Sequence, residues 1–199
     1  MTGRLGAALA LWVAFGVAPA EAAPAAMVEQ LRIAPEGPRT GYRHNLFRHW
    51  VDDDGDGCDT REEVLVAESA VPARTDPASC AVLSGWWTSV YDGVSTDDPG
   101  ALDIDHVVAL GEAWDSGASA WDAPRRRAFA NDLDEAAALI AVTASANRTK
   151  NDRDPAEWRP PRPDAWCGFA GAWVTVKLRW DLSADEAEAG ALREMLAAC

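Results

Sequence analysis

Hydrophobic and polar positions along the chain alternate with both the helical and the strand period. Leu46, Phe47, Trp50 and Val51 recur at helical spacing within Tyr42 to Val51. Shorter helices are predicted around Met27 to Ile33 and over Glu62 to Ala70. Trp86 to Tyr91, aromatic and β-branched, reads as a strand closed by Asp92-Gly93, and Leu102 to Leu110 begins as a second strand. Pro124 at a first helical position opens a basic helix to Leu133. Leu139 to Val142 is a short apolar strand; Thr143 then stands where an N-cap belongs, and Ala144 to Lys150 is helical. Helices over Trp166 to Trp180 and Ser183 to Ala198 complete the chain. Short strands interleaved with short helices, without a repeat, predict one α+β domain over 41–199, preceded by a segment at 23–40.

The first residues follow another logic. Arg4 precedes an uncharged apolar run, Leu5 to Val17, and small residues at Ala18, Ala20 and Ala22 offer cleavage sites. The run is shorter than the roughly 20 residues that span a bilayer, so 1–22 is expected to be a removed signal peptide, leaving an exported monomer without membrane contact. Cys58, Cys80, Cys167 and Cys199 then fall in an oxidising compartment, where two disulfides are expected. Three connectivities are open, and the local one, Cys58 with Cys80 and Cys167 with Cys199, is preferred. No Cys-x-x-Cys spacing supports a thiolate zinc site.

The segment most loaded with chemistry is Leu102-Asp-Ile-Asp-His-Val-Val-Ala-Leu110. Two carboxylates and an imidazole inside an apolar frame cost free energy unless they bind a cation or each other. In an ideal strand Asp103 and Asp105 share a face and His106 points away. A site using both Asp105 and His106 therefore requires the strand to end, twist or bulge there. Downstream, the 144–150 helix carries Asn147, Arg148 and Lys150, predicted on its exposed turns.

Together with Asp54-Gly-Asp-Gly-Cys58, Tyr91-Asp92-Gly93 and the run from Asn147 to Trp158, these residues resemble the HNH, or ββα-metal, nucleases. The nearer likeness is to the exported group whose domain also occurs in modification-dependent restriction enzymes, and it extends from about Gly41 to Trp180. The resemblance implies a small ββα-metal (His-Me finger) core with surrounding helices. It makes His106 the general base, Asp105 and Asn147 the metal ligands, and Asp103 a supporting catalytic carboxylate. Arg148 and Lys150 become phosphate contacts, Lys150 with a catalytic role as well. An oxygen-only ligand pair suits Mg²⁺ or Mn²⁺. Two departures concern geometry: the central Asn of the pattern has only Asn131 as a claimant, and Ala109 stands where relatives often carry Pro.

Asp52 to Glu63 also fits the twelve-residue calcium loop, with Asp52, Asp54 and Asp56 at positions one, three and five, Gly57 at six and Glu63 at twelve. Helices are expected on both sides of it. This loop matters for charge. The chain has 199 residues, room for one ordinary domain, and a formal net charge of −14, which disfavours nucleic acid. Residues 52–63 alone hold seven carboxylates against one arginine, whereas 143–162 hold five basic and three acidic side chains. Local sign therefore permits a nucleic-acid substrate, bound weakly and salt-sensitively. Arg125 to Arg127 read as a solvated helix face, and most of the ten tryptophans as packing. The predicted function is a secreted metal-dependent endonuclease, acting on DNA with little sequence preference. The rival readings are a calcium-binding envelope or adhesion module and an inactive nuclease-fold scaffold.

Overall fold

The computed structural model describes residues 24–197 and 199; the expected signal peptide at 1–22 lies outside them. From the N-terminus come α1 (Pro24–Val28), β1 (Arg32–Ile33) and, after a long irregular stretch, α2 (Thr60–Glu68). The pairs β2 (Arg74–Thr75) with β3 (Val82–Ser84) and β4 (Trp87–Thr88) with β5 (Ser95–Thr96) are antiparallel hairpins. Then follow β6 (Leu102–His106), α3 (Leu110–Asp115), α4 (Ala123–Ala130), β7 (Leu139–Thr143) and α5 (Ala144–Lys150). The chain finishes with α6 (Trp166–Trp180), β8 (Ser183–Ala184) and α7 (Glu186–Leu196), β8 pairing in parallel with β1. The mixture of helices and two-stranded sheets is the α+β class expected.

β6 and β7 form the longest pairing, antiparallel from Leu102 opposite Thr143 to His106 opposite Leu139. Alternation explains it: Leu102 and Ile104 of β6 and Leu139 and Ala141 of β7 share one face and are buried, so the pair has an apolar face to cover. Val64 and Leu65 of α2 belong to the same buried cluster, as do Trp173 and Val174 of α6 and Leu192 and Met195 of α7, two helices that pack on each other. Within that helical layer Lys177 is fully buried. Its Nζ donates to Glu112 Oε1 at 2.8 Å, Glu188 Oε2 at 2.7 Å and the Ser183 carbonyl at 2.7 Å. One ammonium thus ties α3, α6, β8 and α7 together.

Cys58 bonds Cys80 and Cys167 bonds Cys199, the local pairing preferred from the sequence. The first bridge fastens the acidic loop to the turn before β3, and the second fastens the chain end to the start of α6. Among the described residues, no helix is long and apolar enough to cross a membrane.

Several predicted boundaries move. Tyr42 to Val51 is not a helix; only a 3-10 turn forms at His44–Leu46. Side chains take over its backbone: Asn131 Nδ2 donates to the Arg48 carbonyl and Asn131 Oδ1 accepts from Val51 N, while Trp50 sits at φ 56°. Phe47 and Val51 still reach the core from this irregular path. The acidic loop is accordingly followed by a helix, α2, but not preceded by one. The strand from Leu102 stops at His106 and a short helix, α3, follows. The expected 183–198 helix begins at Glu186, because Asp185 caps it by accepting from Glu188 N at 2.8 Å. Most of the tryptophans do pack against the core, but Trp86 is exposed.

Candidate active site

The end of β6 and the start of α5 meet at one cleft of about 380 Å³, lined by Asp103, Asp105, His106, Asn147 and Arg148. Both arrive there for local reasons. β6 ends at His106, still paired opposite Leu139, and at this strand end the imidazole lines the same cleft as the two aspartates. β7 runs directly into α5 because Thr143 Oγ1 accepts from Ala146 N at 3.3 Å, the cap its position predicted. Thr143 Oγ1 donates in turn to Asp92 Oδ2. Asn147 then lies one turn into the helix, and its Nδ2 donates to Asp103 Oδ2 at 3.3 Å.

His106 is tightly oriented. Its Nε2 lies 2.9 Å from the Ala130 carbonyl. A carbonyl only accepts, so Nε2 carries the hydrogen and Nδ1 keeps the lone pair. Trp50 stacks on the ring at 5.7 Å between centroids, and Phe129 stacks at 6.4 Å. Burial among these groups pushes the imidazole down to a pKa of about 3, with the Ala130 carbonyl opposing. The ring is neutral at pH 7.

Asp105 is held from two sides. Tyr91 Oη donates to its Oδ2 at 2.7 Å, and Lys150 Nζ donates to its Oδ1 at 2.9 Å. Burial raises the carboxyl pKa, and Lys150 and Tyr91 oppose the rise. Lys150 Nζ also donates to the His106 carbonyl at 2.9 Å. The lysine is fully buried, not on an exposed turn as its helical position had suggested. The cause is Asp105: a carboxylate taken out of water requires a nearby cation. Lys150 therefore has no exposed ammonium to offer a phosphate in this arrangement, whereas Arg148 is exposed on the cleft wall.

Asp105, the expected ligand, has one lone pair on each oxygen already engaged. Asp103, expected in support, is half-buried at the cleft beside Asn147. Among the described residues, no hydrogen bond occupies Asp103 Oδ1 or Asn147 Oδ1. Two open hard oxygens with a second carboxylate behind them fit Mg²⁺ or Mn²⁺.

Asn131 is not in the cleft. Besides its bonds to the 48–51 segment, its Oδ1 accepts from Thr60 Oγ1 at 2.9 Å and its Nδ2 donates to the Arg127 carbonyl at 2.7 Å. It pins the acidic loop's flanks to α4. Within that loop the Asp52, Asp54 and Asp56 carboxylates converge, with oxygens inside 4.8 Å of one another. They also accept from Gly55, Asp56, Gly57 and Cys58 N–H groups, and their charge helps raise the Glu63 pKa after burial.

Sequence reasoning missed Tyr91's grip on Asp105, the Trp50 stack, and His44 and His49, which also line the cleft. One signal existed. The chain has three histidines, and all of them meet here.

Fold and site define a disulfide-bonded α+β protein whose histidine, carboxylates and amide converge on a polar cleft. Residues 67–195 match the family described as the C-terminal domain of GmrSD restriction endonucleases, and the chain belongs to that family of endonuclease-type hydrolases. It is also 41% identical over 181 residues, 91% of this chain and 87% of the other, to an uncharacterized secreted protein of Arthroderma benhamiae. No solved structure matches it.

Proposed function

We propose that the protein is an exported, metal-dependent endonuclease hydrolysing phosphodiester bonds of DNA with little sequence preference. The observation that carries this reading is the convergence of His106, Asp103, Asp105 and Asn147 on one cleft, in a chain of a nuclease-related family. Two disulfides and a secreted relative support export.

In this mechanism His106 Nδ1 takes a proton from the attacking water, and the Ala130 carbonyl steadies the imidazolium that results. Asp103 and Asn147 would hold Mg²⁺ or Mn²⁺, with Asp105 contributing a remaining lone pair. Such an ion supplies Lewis-acid charge to the phosphate. Arg148 contacts the non-bridging oxygens. Lys150 is a positioning residue: it keeps Asp105 ionised and fixes the His106 backbone.

Plasmid nicking by the mature protein with Mg²⁺, Mn²⁺, Ca²⁺ or EDTA tests this. Nicking is expected with Mg²⁺ or Mn²⁺, lost in EDTA and reduced by about 10²- to 10⁴-fold in His106→Ala. No cleavage under any metal would leave an inactive scaffold, and undiminished cleavage by His106→Ala would remove the assigned base. Asp103→Asn and Asp105→Asn separate the ligands, since the variant needing more Mg²⁺ for half-maximal rate marks the first-ranked donor.

A structural calcium ion at the acidic loop is proposed beside this, on the convergence of Asp52, Asp54 and Asp56, with Glu63 as the twelfth-position donor. Chelation should lower the unfolding temperature of wild type and not of Asp54→Ala. Equal response of the two overturns it.

A further inference from the structure

The mechanism so far accounts for the proton leaving the water and not for the proton the departing oxygen needs. An alkoxide is a poor leaving group, since its conjugate acid has a pKa near that of water, about 16. A second proton-carrying group facing the same phosphate would therefore accelerate the reaction.

His49 is such a group. It lines the cleft, its ring centroid 6.2 Å from that of His106 and nearly perpendicular to it at 88°. Its Nδ1 is 2.8 Å from the Phe47 carbonyl, which again only accepts. That bond fixes the ring whether neutral or protonated, and leaves Nε2 as the nitrogen that gains or gives up a proton. His44 packs edge-on against it at 4.7 Å but is exposed, and no hydrogen bond among the described residues orients its ring. His49 lies before the 67–195 family match, so family membership assigns it no role.

We propose that His49 is the acid partner of His106, protonating the leaving oxygen of the scissile diester through Nε2. The inference rests on the endonuclease reading above. Water's oxygen forms the new bond to phosphorus while its proton passes to His106 Nδ1. The bond from phosphorus to the leaving oxygen breaks, and that oxygen takes the proton from His49 Nε2. One imidazole ends protonated and the other neutral, so exchange with solvent restores both and no other reactant is needed.

A leaving group that needs no proton tests this. Wild type, His49→Gln, His49→Asn and His106→Ala are assayed with Mg²⁺ on plasmid DNA and on bis(p-nitrophenyl) phosphate, whose phenolate departs unaided. The two His49 variants should lose about 10²-fold or more on DNA yet stay within about threefold of wild type on the nitrophenyl ester, which also shows that they fold. His106→Ala should lose both activities. Equal loss on both substrates by both His49 variants, or full activity on DNA, overturns the acid role while wild-type cleavage keeps the endonuclease reading. Failure of wild type on both substrates overturns the two together.

Discussion

Replacing Lys150 by Met isolates the buried ion pair behind the cleft. Lys150 is fully buried, Asp105 is 5% exposed at its side chain, and they meet at 2.9 Å. Truncation leaves a carboxylate out of water with only the Tyr91 hydroxyl to satisfy it. Breaking a buried pair from one side costs about 3–5 kcal/mol. At roughly 2–4 °C per kcal/mol for a domain of this size, the unfolding midpoint should fall by about 6–20 °C. The sign with pH follows from Asp105. Its pKa is already raised in the folded state by burial, and losing the lysine raises it further. The folded variant then binds a proton more tightly than the unfolded chain does, so its deficit is smallest at low pH and grows as pH rises through the raised pKa. Asp105→Asn with Lys150→Met should cost less than the two single changes summed, because the stranded charge is gone. Thermal unfolding at pH 5 and pH 8 measures all of this. A loss below about 1 kcal/mol, a deficit that ignores pH, or simple additivity would refute the reasoning.

The remaining predictions concern other anchors. Asn131→Ala removes four hydrogen bonds, three to Arg48, Val51 and Thr60 and one to the Arg127 carbonyl of α4; at about 1 kcal/mol each, a loss of roughly 2–4 kcal/mol is expected in urea unfolding. Replacing Cys58 and Cys80 by Ser opens a loop of separation 22 and should cost about 3 kcal/mol by loop-closure entropy, read as a lower midpoint in calorimetry. Burial raises Glu188 from 4.5 to about 7. Its folded state favours the proton, so that contribution to stability is complete below pH about 4.5 and is lost as pH rises toward 7. The slope of unfolding free energy against pH should flatten over that window in Glu188→Gln. Arg148→Ala should weaken DNA binding and reduce its salt dependence, measured by titration at two ionic strengths.

The amphipathic period of 166–180, the cap at Thr143 and the apolar run of 139–143 are set by neighbours within four residues, so β7, α5 and α6 stand where the chain order puts them. The Asp103-Ile-Asp-His106 cluster was equally legible, because paired carboxylates and an imidazole in an apolar strand conflict with burial unless they bind a cation or each other. The partner each one takes was not legible. Lys150 turns inward to a carboxylate 45 positions away, and Tyr91 reaches the same group across 14. Segment 42–51 carries apolar residues at helical spacing, yet its path is set by Asn131, 80 or more positions on. Its path is what carries His44, His49 and Trp50 to the cleft. Backbone form here follows from short-range sterics and periodicity, which sequence spacing records. The site's charge partners and second histidine follow from desolvation costs among groups brought together only when the whole core closes.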